Sequence, residues 1–328
     1  PAPYDNDGLP TGFPKMGSKS SLNCLYCHSS KMMGESIIGL PNVNLDLQTL
    51  MDDKVKYQAR ANQPMKPWQD KILDNKFVQI FFPTKKIFRS KERQKLLPLN
   101  KVKGVANTSA LITAYMSLRD KDMNKLRKHK DYGEQKYSSI DPSDWFNIFR
   151  KNKLFRSGEY PKDSRLLTLI FNSPFVSKKK LLSFESDYKK ILSFLTTIRA
   201  PKFNDFAVKK MNRDKTEDLT INPIMASKGM AVFERKCAGC HGKYSDDESY
   251  PNKVIPLSKV GTDEVRLLYG TVAAFNKDIS ESWIGRYGKS PIDINPDGYL
   301  APSLRGIWAT APYLHNGSVP TIHDLFNS

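Results

Sequence analysis

All four cysteines of the chain lie in two copies of one short pattern, and no other feature restricts the fold as strongly. The first copy holds Cys24, Cys27 and His28, and the second holds Cys237, Cys240 and His241. C-x-x-C-H is the attachment signature of c-type haem. Two thiols about one helical turn apart add to the vinyl groups on one haem edge, and the histidine that follows is the proximal iron ligand. The pattern predicts two covalently bound c-type haems, one near each end of the chain.

Two other interpretations of the pattern explain less of it. A zinc site needs two half-sites from opposite ends of the chain to converge on four thiolates, and it leaves both histidines without a role. A disulfide framework leaves the histidines unexplained as well. Because c-type haem is attached outside the bacterial cytoplasmic membrane, we expect a periplasmic or otherwise extracytoplasmic protein whose signal peptide has been removed.

The charge of the chain is strongly positive. Lys and Arg number 52 against 34 Asp and Glu, which gives a formal net charge of +18. This balance favours an acidic redox partner or an anionic membrane surface, although runs such as Lys178–Lys180 also suit a plain solvated face. The extracytoplasmic chemistry of the cysteines argues against nucleic acid as a partner.

Length and local composition predict two domains. The 328 residues are enough for two hydrophobic cores. Residues 1–200 are expected to form an N-terminal haem domain, 201–224 a charged linker, and 225–328 a C-terminal haem domain. Asn222 and Pro223 fit the N-cap and first position of a helix that runs into Cys237.

The predicted fold class is mostly α, with two tandem class I cytochrome c-like haem domains, irregular loops and an extended N-terminal arm over residues 1–20. Helices are expected near 45–59, 108–119 and 183–198, and strand patterning is scarce. In the C-terminal half, Gly229 and Phe233 lie four residues apart before the second motif, as in the first helix of a class I cytochrome c. No apolar run approaches the roughly 18 residues that a membrane-spanning helix needs.

From Gly229 to Asp324 the sequence resembles the C-terminal domain of the bacterial diheme cytochrome c peroxidase superfamily. That superfamily includes the methylamine-utilisation diheme enzyme and the diheme rubber oxygenases. The resemblance is carried by Cys237–Gly242, by Gly261–Asp263 and above all by the tail Ala301–Thr321. The tail is most similar to the rubber-oxygenase-like branch. The first domain matches only in isolated landmarks.

The resemblance implies ligands for the second haem. His315 lies at the histidine of the P-Y-x-H-x-G segment, so it is expected to be the distal ligand in a bis-His pair with His241. The alternative is that His315 does not bind the iron but supports another residue that does, since the peroxidases use a later methionine as the sixth ligand. His323 is the other candidate, although the start of a solvated helix suits it better.

Two further landmarks belong to the junction between the domains. The family often binds Ca²⁺ there, and Asn107, Thr310 and Pro312 match the positions of its ligands, with a turn that holds no metal as the alternative. Trp145 matches a tryptophan that relays electrons between the haems. Trp68 ranks lower, and a purely structural role for Trp145 is the alternative.

The first haem has no obvious distal histidine, because His129 lies in a basic run that suits a solvated face. An iron with an open position binds dioxygen or peroxide, whereas a saturated one mainly transfers electrons. The P-x-E-M segment that supplies the catalytic glutamate in the peroxidases is missing. Glu159 and Tyr160 are the nearest polar candidates after Trp145, and a surface turn is the alternative placement for them.

The sequence therefore predicts a diheme oxidoreductase of oxygenase or peroxidase type, in which the first haem is reactive and the second transfers electrons. Dioxygen chemistry fits slightly better, because the tail resembles the rubber-oxygenase-like branch and the glutamate segment is absent. The alternative is a non-enzymatic electron carrier or a cytochrome subunit of a larger redox complex.

Overall fold

The computed structural model describes residues 8–16, 19–20, 23–46, 49, 104, 108–132, 140–166, 177–214, 218–245, 247–264, 267, 272–286 and 290–327. Within these ranges the α-helices are α1 (Thr108–Ser117), α2 (Lys178–Ser183), α3 (Glu185–Leu195), α4 (Phe203–Asp214), α5 (Pro223–Lys236), α6 (Ala238–His241), α7 (Leu257–Val260), α8 (Val272–Glu281) and α9 (Ile322–Phe326). Three 3-10 helices cover Cys24–Tyr26, Ile148–Arg150 and Ile307–Ala309.

The described strands form four separate antiparallel pairs. They are β1 (Lys15–Met16) with β2 (Lys19–Ser20), β3 (Ser29–Met32) with β4 (Glu35–Ile38), β5 (Lys153–Leu154) with β6 (Tyr160–Pro161), and β7 (Val254–Pro256) with β8 (Gly298–Leu300). The pair β7–β8 joins residues far apart in sequence, with Val254 opposite Leu300. The pair β3–β4 is a hairpin that begins directly after the first haem motif, with Ser29 opposite Ile38.

The tip of this hairpin explains why the chain turns there. Met33 and Gly34 have φ angles of 51° and 84°, and two positive φ values suit the tight turns that match the twist of paired strands. Gly34 adopts this conformation without the cost that a Cβ imposes. The strands that flank it therefore pair at once, and the first motif continues into a hairpin rather than a helix.

The larger hydrophobic core draws on residues between Ile112 and Ile292. It unites buried residues of α1, such as Met116, with Tyr160, with Leu181 of α2, and with Ile279 and Ile284 from α8 and the turn after it. A second, smaller cluster consists of Trp145, Ile148 and Leu195, against which the partly buried Cys24 and Leu25 of the first motif pack.

The expectation of a mostly α fold with two tandem class I cytochrome c-like domains is wrong. The described part of the chain contains four small sheets as well as helices, and the first motif leads into a hairpin. The larger core also mixes α1 with α8, so the described helices do not sort into two successive cytochrome folds. The limits 1–200, 201–224 and 225–328 stay a prediction, and α4 lies inside the span expected to be a linker.

The expected extended arm is folded where the structure describes it. Phe13 packs edge-on against Tyr26 with ring centroids 5.4 Å apart, and Asn23 N donates to Gly12 O. The helices predicted at 108–119 and 183–198 are observed as α1 and α3 with shorter ends. The helix expected at 45–59 falls largely outside the described residues, as Trp68 does. Among the described helices, none combines the length and apolar character that crossing a bilayer requires.

Candidate functional site

The second motif lies at the junction of α5 and α6. As predicted, Asn222 caps α5: its side-chain oxygen accepts hydrogen bonds from the backbone N–H groups of Ile224 and Met225 at 3.0 and 3.1 Å, and Pro223 follows at the first helical position. Cys237 ends α5 and begins α6, with its N–H donating to Phe233 O at 2.8 Å. The motif therefore begins where α5 ends and continues through α6 to His241.

A sharp turn follows this motif at Gly242. Its φ is 89°, and a Cβ at this position would lie 2.2 Å from Ser249 O. Only glycine fits this close approach of two backbone segments. After the turn, Lys243 N donates to Ser249 O at 2.9 Å, and Tyr244 OH donates to His241 O at 2.8 Å. Phe233, the aromatic residue singled out in the sequence, packs against Tyr244 with ring centroids 5.8 Å apart.

The first motif has the same local turn without a preceding helix. Asn23 caps it by accepting from Leu25 N at 2.9 Å. His28 N donates to Cys24 O at 3.0 Å, the same distance as from His241 N to Cys237 O in the second motif. In both motifs the histidine is thus placed one turn after the first cysteine.

The two motif histidines also make the same side-chain contact. The Nδ1 atom of His28 lies 2.9 Å from Ser143 O, and that of His241 lies 2.8 Å from Pro302 O. A carbonyl oxygen only accepts, so Nδ1 carries the proton and Nε2 keeps its lone pair. Metal-bound histidines are typically oriented in this way by a hydrogen bond from the other ring nitrogen. Both histidines therefore present the donor atom that haem iron needs.

The cysteines fit the same cofactor. No disulfide joins any of the four, so each sulfur is available for a thioether bond. Burial raises the pKa of Cys24 to about 11 and that of Cys27 to about 12, so both are neutral thiols at pH 7. Burial also lowers the pKa of His28 to about 4, against the Ser143 hydrogen bond and the Asp144 charge, and leaves a neutral imidazole. Neutral imidazole is the form that coordinates a metal.

Trp145 lies directly against the first motif. Its ring stacks on that of His28 with centroids 4.6 Å apart and planes inclined by 24°. The backbone N–H of Trp145 donates to Gly39 O at 2.9 Å, and Gly39 N in turn donates to His28 O at 2.8 Å. The hairpin β3–β4 therefore fixes both the histidine and the tryptophan. The relay role predicted for Trp145 stays a prediction.

His315 is buried in the C-terminal part of the described chain. Its ring stacks on Tyr299 with centroids 5.5 Å apart, and its Nε2 lies 3.5 Å from an oxygen of Asp263. Its backbone oxygen accepts from Asp141 N at 2.9 Å. The predicted distal ligation of the second haem by His315 stays a prediction. His323 lies in α9, with its backbone oxygen accepting from Asn327.

Glu159 and Tyr160 are buried, at 4% and 3% exposure, and not on a surface turn. Glu159 accepts a hydrogen bond from Ser157 Oγ at 2.6 Å, and Tyr160 OH donates to Asn276 Oδ1 at 2.5 Å. Tyr160 belongs to the larger core, whereas Cys24 packs with the smaller cluster around Trp145. The structure therefore does not gather Glu159 and Tyr160 with Trp145, and their catalytic role stays a prediction.

The calcium landmarks are described only in part. Asn107 lies outside the described residues. Thr310 follows the 3-10 helix Ile307–Ala309, and its hydroxyl donates to Ile307 O at 3.2 Å. Pro312 is preceded by a cis peptide bond. Within the described ranges, no group of three or more His, Cys, Asp or Glu side chains is arranged to hold a metal ion.

Sequence reasoning singled out Trp145 but missed the roles of Asp141 and Ser143, which lie just before it. Asp141 holds the backbone of His315, Ser143 orients His28, and Trp145 covers the same ring. Burial raises the pKa of Asp141 to about 7, with Arg156 opposing the shift and Asp144 adding to it. Pro302, which orients His241, was likewise missed, because a backbone carbonyl leaves no mark in the sequence. The position of Pro142–Asp144 just ahead of the relay candidate Trp145 was the available signal.

The comparisons agree with the haem chemistry of the C-terminal region. Residues 298–328 match a family profile described as RoxA-like, cytochrome c-like. The uncharacterized protein y4iM of Sinorhizobium fredii is 30% identical over an alignment of 129 residues, which covers 32% of this chain and 28% of that protein. The uncharacterized protein y4iJ of the same organism is 62% identical over 32 residues, 10% of this chain and 5% of that protein.

The profile match supports a link between this chain and cytochromes c, and with it covalently bound haem c. The chain spans less than a third of the length of either curated relative.

Proposed function

We propose that this chain is an extracytoplasmic diheme c-type cytochrome that acts as an oxidoreductase. One haem is bound by Cys24, Cys27 and His28, and the other by Cys237, Cys240 and His241. The first haem, in the part before residue 200, reacts with dioxygen or peroxide. The second, in the part after residue 225, transfers electrons.

The observation that carries this proposal is the pair of matching histidine contacts. Each motif histidine directs Nδ1 at a backbone carbonyl, Ser143 O at 2.9 Å and Pro302 O at 2.8 Å. The two carbonyls come from unrelated parts of the sequence, yet they leave the same nitrogen of each ring for the iron. A disulfide pair has no need of this arrangement, and neither has a zinc site of four thiolates, in which the histidines are not ligands.

The chain supplies orientation and electron coupling around each haem. When bound, haem supplies a redox-active iron whose reactivity depends on whether its sixth position is open. His28 is held by Ser143 from one side and covered by Trp145, which makes the indole the first aromatic group beyond the proximal ligand. Trp145 is therefore our proposed route for electrons that leave or enter the first haem.

For the second haem we propose His315 as the distal ligand. Its burial and its place in the region matched by the cytochrome c-like profile support the proposal. Its Nε2, which lies 3.5 Å from an oxygen of Asp263, would be the atom that binds the iron. We further propose a Ca²⁺ held by Asn107 and by the chain at Thr310 and Pro312.

The proposed partner is an acidic redox protein, or an anionic membrane surface, in the periplasm. The net charge of +18 supports this choice, because opposite charge accelerates encounter and orients partners. Raising the ionic strength should therefore slow electron exchange with an acidic partner.

The first experiment counts haems in the full chain. We expect the mass of the polypeptide plus two haems, and a pyridine haemochrome signal of two per chain. The second experiment adds carbon monoxide or cyanide to the reduced or oxidised protein. We expect one haem to bind the ligand rapidly, because the first haem has an open position. A mass equal to that of the bare polypeptide would refute the proposal.

The alternative is a non-enzymatic electron carrier or a cytochrome subunit that docks to a larger redox complex by its positive charge. The same titration separates the two functions. Two low-spin haems that ignore carbon monoxide and cyanide support the carrier, whereas one ligand-binding haem supports the oxidoreductase.

A further inference from the structure

A cluster of charged and aromatic side chains joins the two motif regions, and the proposed function does not use it. Arg150 Nη1 lies 2.5 Å from an oxygen of Glu248, and Arg305 Nη2 lies 2.6 Å from the other oxygen. The Arg150 guanidinium also lies over the rings of Tyr244 and Tyr250, 5.2 and 5.7 Å from their centroids. We call these three charged residues the arginine clamp.

The clamp spans the two motif regions. Arg150 ends the 3-10 helix that follows Trp145, and Ile148 of that helix packs with Cys24 and Leu25. Glu248 lies in the turn after the second motif. Arg305 lies three residues after Pro302, whose oxygen orients His241. One carboxylate thus connects the segment of Trp145 to both sides of His241.

The surroundings of Arg150 make its charge effective. Its side chain is only 6% exposed, so water screens it weakly. Tyr244, whose ring lies beneath the guanidinium, donates its hydroxyl to His241 O at 2.8 Å. Hydrogen bonds from Arg305 and the charges of both arginines hold the pKa of Glu248 below its usual range. The clamp therefore carries two positive charges and one negative charge beside the second motif.

We infer that the arginine clamp sets the reduction potential of the second haem and fixes the loop of His241 to the segment of Trp145. This inference rests on the proposed function. A net positive charge near an iron disfavours its oxidised, more positive state, so the clamp raises the potential. Arg150 and Glu248 are positioning residues in this account, because neither touches the iron.

The test uses single charge changes in the full protein, followed by spectropotentiometry. The second haem is identified as the redox wave that disappears in the Cys237→Ser, Cys240→Ser variant. Arg150→Gln should lower its potential and Glu248→Gln should raise it. Each change should alter the reduction equilibrium about tenfold, which is about 59 mV for one electron. Arg150→Lys, which keeps the charge, should restore most of the potential.

The opposite signs of the potential shifts in Arg150→Gln and Glu248→Gln distinguish an electrostatic role of the clamp from a merely structural one. If the clamp only held the loop, either change would admit water to the haem and both would lower the potential. The matched control is Arg165→Gln, since Arg165 also pairs with a glutamate, Glu185 at 2.9 Å, and lies 3.9 Å from the Trp283 ring centroid. We expect it to leave both potentials unchanged.

The inference would be overturned if both variants shifted the potential of the second haem in the same direction, or if neither shifted it. Because the protein would still carry two haems, the proposed function would stay intact. A wild-type protein without haem would overturn both. If Arg150→Gln fails to fold, Glu248→Gln alone decides, because a lowered or unchanged potential contradicts the clamp.

Discussion

The two C-x-x-C-H motifs share their local geometry and differ in the secondary structure and the side chains next to them. Both close with a hydrogen bond of 3.0 Å from the histidine N–H to the first cysteine oxygen, and both direct histidine Nδ1 at a carbonyl. The first motif is followed by a hairpin and covered by Trp145. The second emerges from a long helix and is bordered by Tyr244 and Arg150. The motif itself therefore fixes how haem is attached, while distant parts of the chain fix what surrounds each site.

The strongest test of this comparison removes one pair of thiols at a time. Cys24→Ser with Cys27→Ser, or Cys237→Ser with Cys240→Ser, should each halve the haem content, because each turn is closed by its own hydrogen bonds. Mass spectrometry and the pyridine haemochrome measure the outcome. Loss of all haem from either variant would mean that the four thiols serve one shared centre.

Gly242→Ala should damage the second motif selectively. The added Cβ would lie 2.2 Å from Ser249 O in a residue whose φ is 89°, so we expect a loss of about 3 kcal/mol in unfolding free energy. Denaturant unfolding gives the stability, and haemochrome analysis gives the occupancy of the second site. Gly34→Ala is the control, since Gly34 has a φ of 84° and nothing within 4 Å of its Cβ position. Equal losses in both variants would show that strain alone, and not the close approach, matters.

Asp141, which lies between the motif regions, should make stability depend on pH. Its pKa is raised from 3.8 to about 7, so the folded state binds the proton more tightly than the unfolded state. The stability from this group is then complete below pH 4 and is lost as the pH rises through 7. Asp141→Asn should therefore gain about 4 kcal/mol relative to the wild type between pH 4 and pH 8, at about 1.4 kcal/mol per pKa unit.

Unfolding of both proteins across this pH range measures the difference. Asp122→Asn, at an exposed pair with Arg286, is the control and should show no such trend. A constant difference between Asp141→Asn and the wild type would contradict the assignment.

Trp145→Phe changes the surroundings of the first motif, and its expected effect is on the rate of electron transfer. We expect electron exchange between the two haems to slow about tenfold, which corresponds to about 1.4 kcal/mol in the barrier, because phenylalanine is the poorer relay. Flash photolysis of the carbon monoxide complex follows this step. Trp308→Phe is the control, as Trp308 packs against Phe203 and Phe206 and not against a motif histidine. An unchanged interhaem rate would leave Trp145 with a structural role only.

The smallest effects concern the two asparagine caps. Asn222→Ala should cost about 1 kcal/mol, the usual value for a helix N-cap, because two N–H groups of α5 lose their acceptor. Asn23→Ala should cost less, since one N–H group depends on it. Thermal unfolding ranks the two variants. A larger loss for Asn23→Ala would mean that the first motif depends more on its cap than the second.

The sequence predicted what local chemistry determines. Both motifs, the cap at Asn222 and the helices α1 and α3 follow from residue order within one or two turns. The shared core did not follow, because nothing near Met116 indicates that it packs in one cluster with Ile279. Ser143 and Pro302 were missed for a related reason, since they act through backbone oxygens. The hairpin after His28 was missed because its strands are only four residues long and weakly patterned.

The tip of that hairpin has a practical consequence. Gly34 has nothing within 4 Å of its Cβ position, while the other end of the hairpin, at Gly39, is bonded to both His28 and Trp145. Foreign residues spliced between Met33 and Gly34 would extend outward without shifting the paired strands. The loop is thus a site at which the protein could be tethered to an electrode or carry a fluorescent dye at a fixed place near its first C-x-x-C-H motif.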